Sequence, residues 1–144
     1  MGKLTSPHSA PLNVLVIGTG MYVCGRGTQG HGTILPALYE WKKGGAVGEV
    51  VIAGTRREGV RTLEAKVREL DRLYGFKLAP RCLPKGTRTD PRAYRAAVAS
   101  MPRPACALVV VPDDRHREIA GHMVARGLHT LVVKPLAPTV REVR

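Results

Sequence analysis

The chain has 144 residues, 44% hydrophobic, 24% charged and 4% aromatic, so it is one domain that needs no disulfide or metal staple and whose core must be mostly Val, Leu, Ile and Ala. A formal net charge of +12 favours an anionic partner such as nucleotide phosphates, nucleic acid or an acidic substrate, although the basic residues lie singly or in pairs, as on a solvated surface. No apolar run reaches the roughly 18 residues of a membrane span, and three scattered cysteines, Cys24, Cys82 and Cys106, exclude a disulfide framework and point to reduced thiols in the cytoplasm.

Residues 1–11, MGKLTSPHSAP, have no signal peptide's apolar stretch and read as a disordered polar tail. Their start also fits the short myristoylation pattern. A domain then runs over residues 12–144. LNVLVI, residues 12–17, is a near-continuous apolar run that suits a strand buried on both faces. GTGMYVCGRGTQGHG follows, residues 18–32, with six glycines. Ile34, Leu35, Leu38 and Trp41 then recur at helical spacing up to Gly44 and Gly45. Residues 49–53 (EVVIA) predict a second buried strand, and Thr55 with Glu58 has capping-box spacing. Val60, Leu63, Val67, Leu70 and Leu73 make the apolar stripe of the clearest helix, with Glu64 and Arg68 paired at i,i+4.

Beyond it, residues 77–82 carry a weak strand signal, and Asp90-Pro91 opens an Ala-rich helix to about Ser100. Residues 105–111 (ACALVVV) form a third strong strand. Asp113 or Asp114 caps a helix whose buried face is Ile119, Ala120, Met123 and Val124, ended by Gly127. A last strand spans residues 129–133. Strands alternating with helices predict an α/β fold: a Rossmann-type, doubly wound parallel sheet with helices on both faces and a ligand site beyond the carboxyl ends of its strands. Thr139 and Glu142 repeat the capping-box spacing, but about one turn follows, too little for an independently stable helix. That predicts a C-terminally truncated domain, or one piece of a longer protein.

Gly18-Thr19-Gly20 directly after a strand is the start of a dinucleotide fingerprint. The first glycine permits the tight turn, and the second lets backbone N–H groups approach a pyrophosphate. Position 23 holds Val23 rather than a third glycine, so Gly30 or Gly32 is expected to take that role after an insertion, with residues 21–29 as a flap over the pyrophosphate. A flexible surface loop is the competing reading. At the end of the second strand, NAD-binding proteins carry an acid for the ribose 2′-OH. Here Thr55, Arg56 and Arg57 stand instead, and guanidiniums suit a 2′-phosphate. The expected cofactor is therefore NADP, ahead of NAD. His116, His122 and His129 lack metal-ligand spacing, so no metal is expected. Sparse aromatics and the lack of a binding motif argue against nucleic acid.

Residues 109–139, VVVPDDRHREIAGHMVARGLHTLVVKPLAPT, carry a more specific signal. Pro112 is followed four residues later by His116, then by Gly127-Leu128-His129-Thr130 and Val133-Lys134-Pro135-Leu136-Ala137. This order resembles the N-terminal cofactor domain of the glucose–fructose oxidoreductase and inositol dehydrogenase family, Gfo/Idh/MocA, over roughly residues 12–144. The resemblance implies an NAD(P)-dependent oxidoreductase acting on CH-OH groups, with hydride passing between nicotinamide and a sugar, cyclitol or related polyol. It places Lys134 as the catalytic residue beside nicotinamide and substrate hydroxyl, assisting proton transfer if burial lowers its pKa. It has Pro135 fixing that turn, often by a cis bond, Val111 and Pro112 lining the nicotinamide pocket, and His116 capping or packing near it. With Gly18, Thr19, Gly20, Met21, Thr55, Arg56 and Arg57 these make the candidate cofactor site. Val133 replaces the family's usual Glu beside Lys134. The resemblance also implies a second domain that holds the substrate, which these residues lack, and a homo-oligomer at full length. The chain alone is expected to bind cofactor without turnover. The alternative is a non-catalytic nucleotide-binding module or sensor completed by a partner chain.

Overall fold

The computed structural model describes residues 10–143. The myristoylation pattern and most of the expected tail lie outside the described residues. Strands β1 (Leu12–Ile17), β2 (Val47–Ala53), β3 (Arg81–Leu83), β4 (Ala105–Val109) and β5 (His129–Val132) form one parallel sheet in the order β3-β2-β1-β4-β5. The helices are α1 (Met21–Cys24), α2 (Ile34–Lys43), α3 (Arg57–Tyr74), α4 (Ala93–Ala99), α5 (His116–Ala125) and α6 (Val140–Val143), with a single 3-10 turn at Asp113–Arg115 before α5. The expected Rossmann-type sheet is what forms. Winding runs outward from β1 to β3, then restarts on the other side of β1 with β4, so strand order reverses between β1 and β4. In such sheets the ligand crevice opens at that reversal.

The continuous apolar run of β1 has a direct cause. Val14 and Val16 pack on one face with Leu35 and Leu38 of α2 and Val60, Leu63 and Val67 of α3. Leu15 and Ile17 pack on the other with Tyr94 and Val98 of α4 and Ile119 and Met123 of α5. A strand covered on both faces reads as a near-continuous apolar run. Among the described residues no helix is long and apolar enough to cross a membrane.

Three expected core residues point elsewhere. Leu73 is 72% exposed and Val124 62% exposed. Trp41 also sits at the surface, with Tyr39 buried in its place. At about 3.6 residues per turn, Tyr74 rather than Leu73 falls on the centre of the α3 stripe, and it stacks on Tyr39 at 4.9 Å between ring centroids. The same geometry puts His116, Ile119 and Met123 in line on α5 and swings Val124 outward. Thr55 is not the cap of α3; that position is Arg56, without a side-chain cap bond. Neither Asp113 nor Asp114 caps by its side chain, because the 3-10 turn intervenes. Glu64 pairs with Arg57, not with Arg68. Strand β3 starts later than expected, at Arg81, and β4 and β5 end earlier, at Val109 and Val132. Only half of the second capping box forms: Glu142 Oε2 accepts from the Thr139 N–H at 3.1 Å, while the Thr139 hydroxyl donates to the same oxygen at 2.8 Å and the Glu142 N–H goes to Thr139 O instead.

One polar residue interrupts β1. Asn13 is 9% exposed. Its Nδ2 donates to the carbonyls of Pro102 and Pro104 at 3.2 and 3.0 Å, and its Oδ1 accepts from the Glu49 N–H at 2.7 Å. The β1–β2 register shifts between Leu12 and Val14, and the Asn13 side chain supplies the acceptor that the irregular ladder lacks. A Cβ on Gly48 would lie 2.5 Å from Asn13 Oδ1, so the glycine keeps that space open. Asn13→Ala leaves a sheltered N–H without a partner, which costs about 1–3 kcal/mol. It is expected to lower stability by about 2 kcal/mol, seen as a lower urea midpoint at unchanged slope. An unchanged midpoint would mean that water replaces the amide.

Candidate functional site

The site is built where β1 ends. The Gly18 N–H donates to Ala53 O at 2.8 Å and the Val110 N–H to Ile17 O at 2.8 Å, which draws the ends of β2, β1 and β4 together. Gly18 has φ +127°, and a Cβ there would stand 1.9 Å from Val110 O. Only glycine fits that position. Gly20 differs: a Cβ there meets nothing within 4 Å and would occupy open space at the mouth of the turn, the space a phosphate needs. Thr19, between them, is buried. Its side chain fills the places where Gly54 and Gly59 would carry a Cβ, at 2.8 and 2.6 Å.

The rest of the glycine string does something other than expected. Helix α1 follows Gly20 at once, lasts one turn and stops at Gly25 in the left-handed region. A Cβ on Gly32 would be 2.7 Å from backbone atoms of Val23 and Cys24, and one on Gly25 would be 2.2 Å from Gly30 O. Gly25, Gly30 and Gly32 therefore close a loop on α1, and neither Gly30 nor Gly32 takes the third fingerprint position. That position is Val23, wholly buried. The loop also leans on α3: Lys66 Nζ donates to Thr28 O at 3.2 Å and His31 Nε2 lies 2.8 Å from Glu69 Oε2. The expected flap is corrected accordingly. Met21, Tyr22, Val23 and Arg26 line the cleft, while the tip of the insertion is tied to a helix. Cys24 is buried with its Sγ 3.5 Å from Thr19 O, and burial pushes its thiol pKa up. It is not an activated nucleophile.

The cleft has a volume of about 490 Å³ and lies across the carboxyl ends of β1, β2 and β4. Of the residues singled out in the sequence, Gly18, Thr19, Gly20, Met21, Thr55, Arg56, Val111 and Pro112 line it. Arg57, His116, Lys134 and Pro135 do not. The Arg57 guanidinium is taken by Glu64, with Nη1 and Nη2 at 3.1 and 3.2 Å from the two carboxylate oxygens. At the start of α5, His116 is wholly buried. Its Nε2 lies 2.8 Å from Val111 O and its Nδ1 2.7 Å from Pro135 O, so it joins the two strand ends from behind the cleft. Lys134 precedes a cis peptide to Pro135 and is exposed, so the burial its expected role asks for is not supplied by the described residues. Val133, its neighbour, lines the cleft.

Sequence reading missed Arg26 and Arg115, which also line the cleft. Arg26 lies in an irregular glycine loop that carries no motif, and Arg115 directly follows two aspartates whose capping signal dominates that segment. Among the described lining residues there are three arginines, Arg26, Arg56 and Arg115, and no carboxylate. Such a wall is complementary to an anion. The turn fits a dinucleotide's phosphates on two observations: the Gly18 position that only glycine can occupy, and the open space above Gly20. Among the described residues no group of three or more His, Cys, Asp or Glu side chains is placed to hold a metal.

Comparison with known proteins agrees with this architecture. The sequence model of one family, Gfo/Idh/MocA, described as "Oxidoreductase family, NAD-binding Rossmann fold", matches residues 12–144. No curated protein sequence matches the chain. Among solved structures, the chain is similar to KijD10, a 3-ketoreductase from Actinomadura kijaniata in complex with NADP, at 20% identity and a TM-score of 0.54, over 92% of this chain and 33% of that one. It is similar to GenD2 from gentamicin A biosynthesis in complex with NAD, at 18% identity and 0.56, over 100% and 32%. A levoglucosan dehydrogenase complexed with NADH and L-sorbose matches at 21% and 0.56, over 93% and 30%. The chain spans about a third of the length of these proteins, and at such identities the likeness is one of fold.

Proposed function

The chain belongs to the Gfo/Idh/MocA oxidoreductase family, and on that premise we propose that it is an NADP(H)-binding domain serving hydride transfer to or from a sugar, cyclitol or related polyol. The observation that carries the cofactor reading is the wall at the end of β2. It consists of Gly54, Thr55 and Arg56, with no acid, and Arg56 has no carboxylate partner among the described residues. An acid there would accept from a ribose 2′-OH and repel a 2′-phosphate; a guanidinium donates to the phosphate. Solved relatives hold both NADP and NAD, so this chain's own residues carry the choice.

In this reading Gly18, Thr19, Gly20 and Met21 receive the pyrophosphate, Thr55 and Arg56 receive the 2′-phosphate, and Val111 and Pro112 flank the nicotinamide. Arg57 supports the wall from outside, through Glu64. The bound dinucleotide supplies or accepts the hydride. Lys134 holds or moves the hydroxyl proton at Nζ, and His116 and Pro135 keep its turn against β4. The substrate class rests on the family and on the names of its solved relatives, one a 3-ketoreductase and one a levoglucosan dehydrogenase. A second reading, a nucleotide-binding module without catalysis, is favoured by Val133, which lines the cleft where the family carries Glu.

The test is a fluorescence titration with NADPH and NADH. The parent is expected to bind NADPH more tightly, and Arg56→Ala to weaken NADPH roughly tenfold or more, the worth of a hydrogen bond to a charged group, with NADH unchanged. Equal affinities in the parent would reject the NADP(H) reading.

A further inference from the structure

We infer that Arg26, carried by the insertion between α1 and α2, is a second specificity residue that closes on the 2′-phosphate of the cofactor from the wall adjacent to Arg56. This deepens the NADP(H) reading and rests on it. Residue 26 stands outside the glycine fingerprint and enters the cleft through the geometry of the insertion.

The insertion is a braced arch. Gly25 lets the chain leave α1 in the left-handed region at φ +72°, and Arg26 comes directly after it. Thr28 then locks the turn: its N–H and its hydroxyl both reach Gly25 O, at 2.9 and 2.8 Å, and its Oγ1 accepts from the Gly30 N–H at 3.1 Å. The Thr33 N–H returns to Tyr22 O at 2.8 Å. Lys66 and Glu69 of α3 hold the far side through Thr28 and His31. The stem of Arg26 thus starts from a fixed base, which lowers the entropy lost when its head engages a ligand.

Its head lies across the first turn of α3. Arg26 Nη1 stands 3.0 Å from the point where Gly59 would carry a Cβ, and Thr19 Oγ1 stands 2.6 Å from the same point. Gly59 is therefore the residue that lets a guanidinium rest there, three positions beyond Arg56 and beside the Gly54–Arg56 wall. Arg26 and Arg56 line one cleft. Neither has a carboxylate partner among the described residues, whereas Arg57 is committed to Glu64 and Arg115 lies 3.6 Å from Glu118. Two uncommitted guanidiniums on adjacent walls suit a group carrying up to two negative charges and three acceptor oxygens, which a phosphate monoester has and a ribose hydroxyl lacks. A pyrophosphate is the other anion in reach, and it is common to both nicotinamide dinucleotides, so the two sources separate cleanly.

The experiment compares NADPH and NADH binding by the whole chain, its Arg26→Ala, Arg26→Lys and Arg56→Ala variants and the double alanine variant, with 2′,5′-ADP and 5′-ADP as competitors and a thermal melt of each. Arg26→Ala should weaken NADPH and 2′,5′-ADP roughly tenfold and leave NADH and 5′-ADP unchanged, with Arg26→Lys in between and the double variant losing the NADPH preference. Arg26 is exposed, so the melts should coincide. If Arg26→Ala weakens all four ligands alike, or none, while the parent still prefers NADPH, the assignment of Arg26 is overturned and the NADP(H) reading stands. If the parent shows no preference, both fall together.

Discussion

Gly18→Ala is expected to lower the stability of the domain by about 3 kcal/mol or more and to abolish dinucleotide binding. Two causes add. The φ of +127° belongs to a region that residues with a Cβ enter only at a cost of about 1–3 kcal/mol. The new methyl would also sit 1.9 Å from Val110 O, a backbone atom anchored by the Val110 N–H to Ile17 O. It has no flexible side chain to push aside, so the carboxyl ends of β1 and β4 must part. That is where the cleft opens, so binding and stability fail together. Gly20→Ala separates the two roles. Its Cβ meets nothing within 4 Å and its φ of −83° suits any residue, so urea denaturation should give nearly the parent's midpoint. The methyl nevertheless fills the approach to the turn, and NADPH titration should show the affinity lost. Parent-like binding by Gly20→Ala would mean that the phosphates do not approach over that residue.

His116→Leu is expected to destabilise the domain by about 2–3 kcal/mol, although the replacement is apolar, of similar size and placed in a core. The ring is wholly buried between two carbonyls, Val111 O and Pro135 O. Each ring nitrogen faces a carbonyl, which only an N–H on that nitrogen can satisfy. Leucine offers none, and an unsatisfied buried acceptor costs about 1–3 kcal/mol. The loss should be local in effect as well as size. Val111 and Pro112 wall the cleft on one side of the ring, and the Lys134–Pro135 turn lies on the other. Hydrogen exchange should therefore quicken at the ends of β4 and β5 before it does in β2. Uniform loss of protection would show that His116 is only part of the general core.

The alternation of strands and helices was legible because the central strands β1 and β2 are largely covered on both faces and each long helix on one, which fixes the hydrophobic period. Gly18 was legible because a strand ends there and the next requirement is a turn that admits no Cβ, and Gly20 by its spacing from Gly18. Val60, Leu63 and Val67 obeyed their spacing, while Leu73 did not, because a stripe drifts and Tyr74 reached its centre first. Side-chain partners were the unreadable part. Arg56 and Arg57 look alike in sequence, and only the pairing of Arg57 with Glu64, two helical turns on, separates a guanidinium committed to the protein from one facing the cleft. His116 was found by its spacing from Pro112, yet the direction of its ring depends on the Pro135 carbonyl, 19 residues away. Arg26 gave no signal at all, since its position follows from a loop whose hydrogen bonds are mostly its own.

The alternation within β1 also bears on how the molecule comes apart. Val14 and Val16 belong to the layer with α2 and α3, and Leu15 and Ile17 to the layer with α4 and α5. The helical layers on the two faces of the sheet therefore share one strand residue by residue. Neither layer can detach β1 without exposing the apolar side chains of the other, so partial unfolding of one face carries the penalty of both. The first strand of the chain is in this sense the rivet of the domain: it converts two separate cores into one cooperative unit, and the cleft at its end inherits that rigidity.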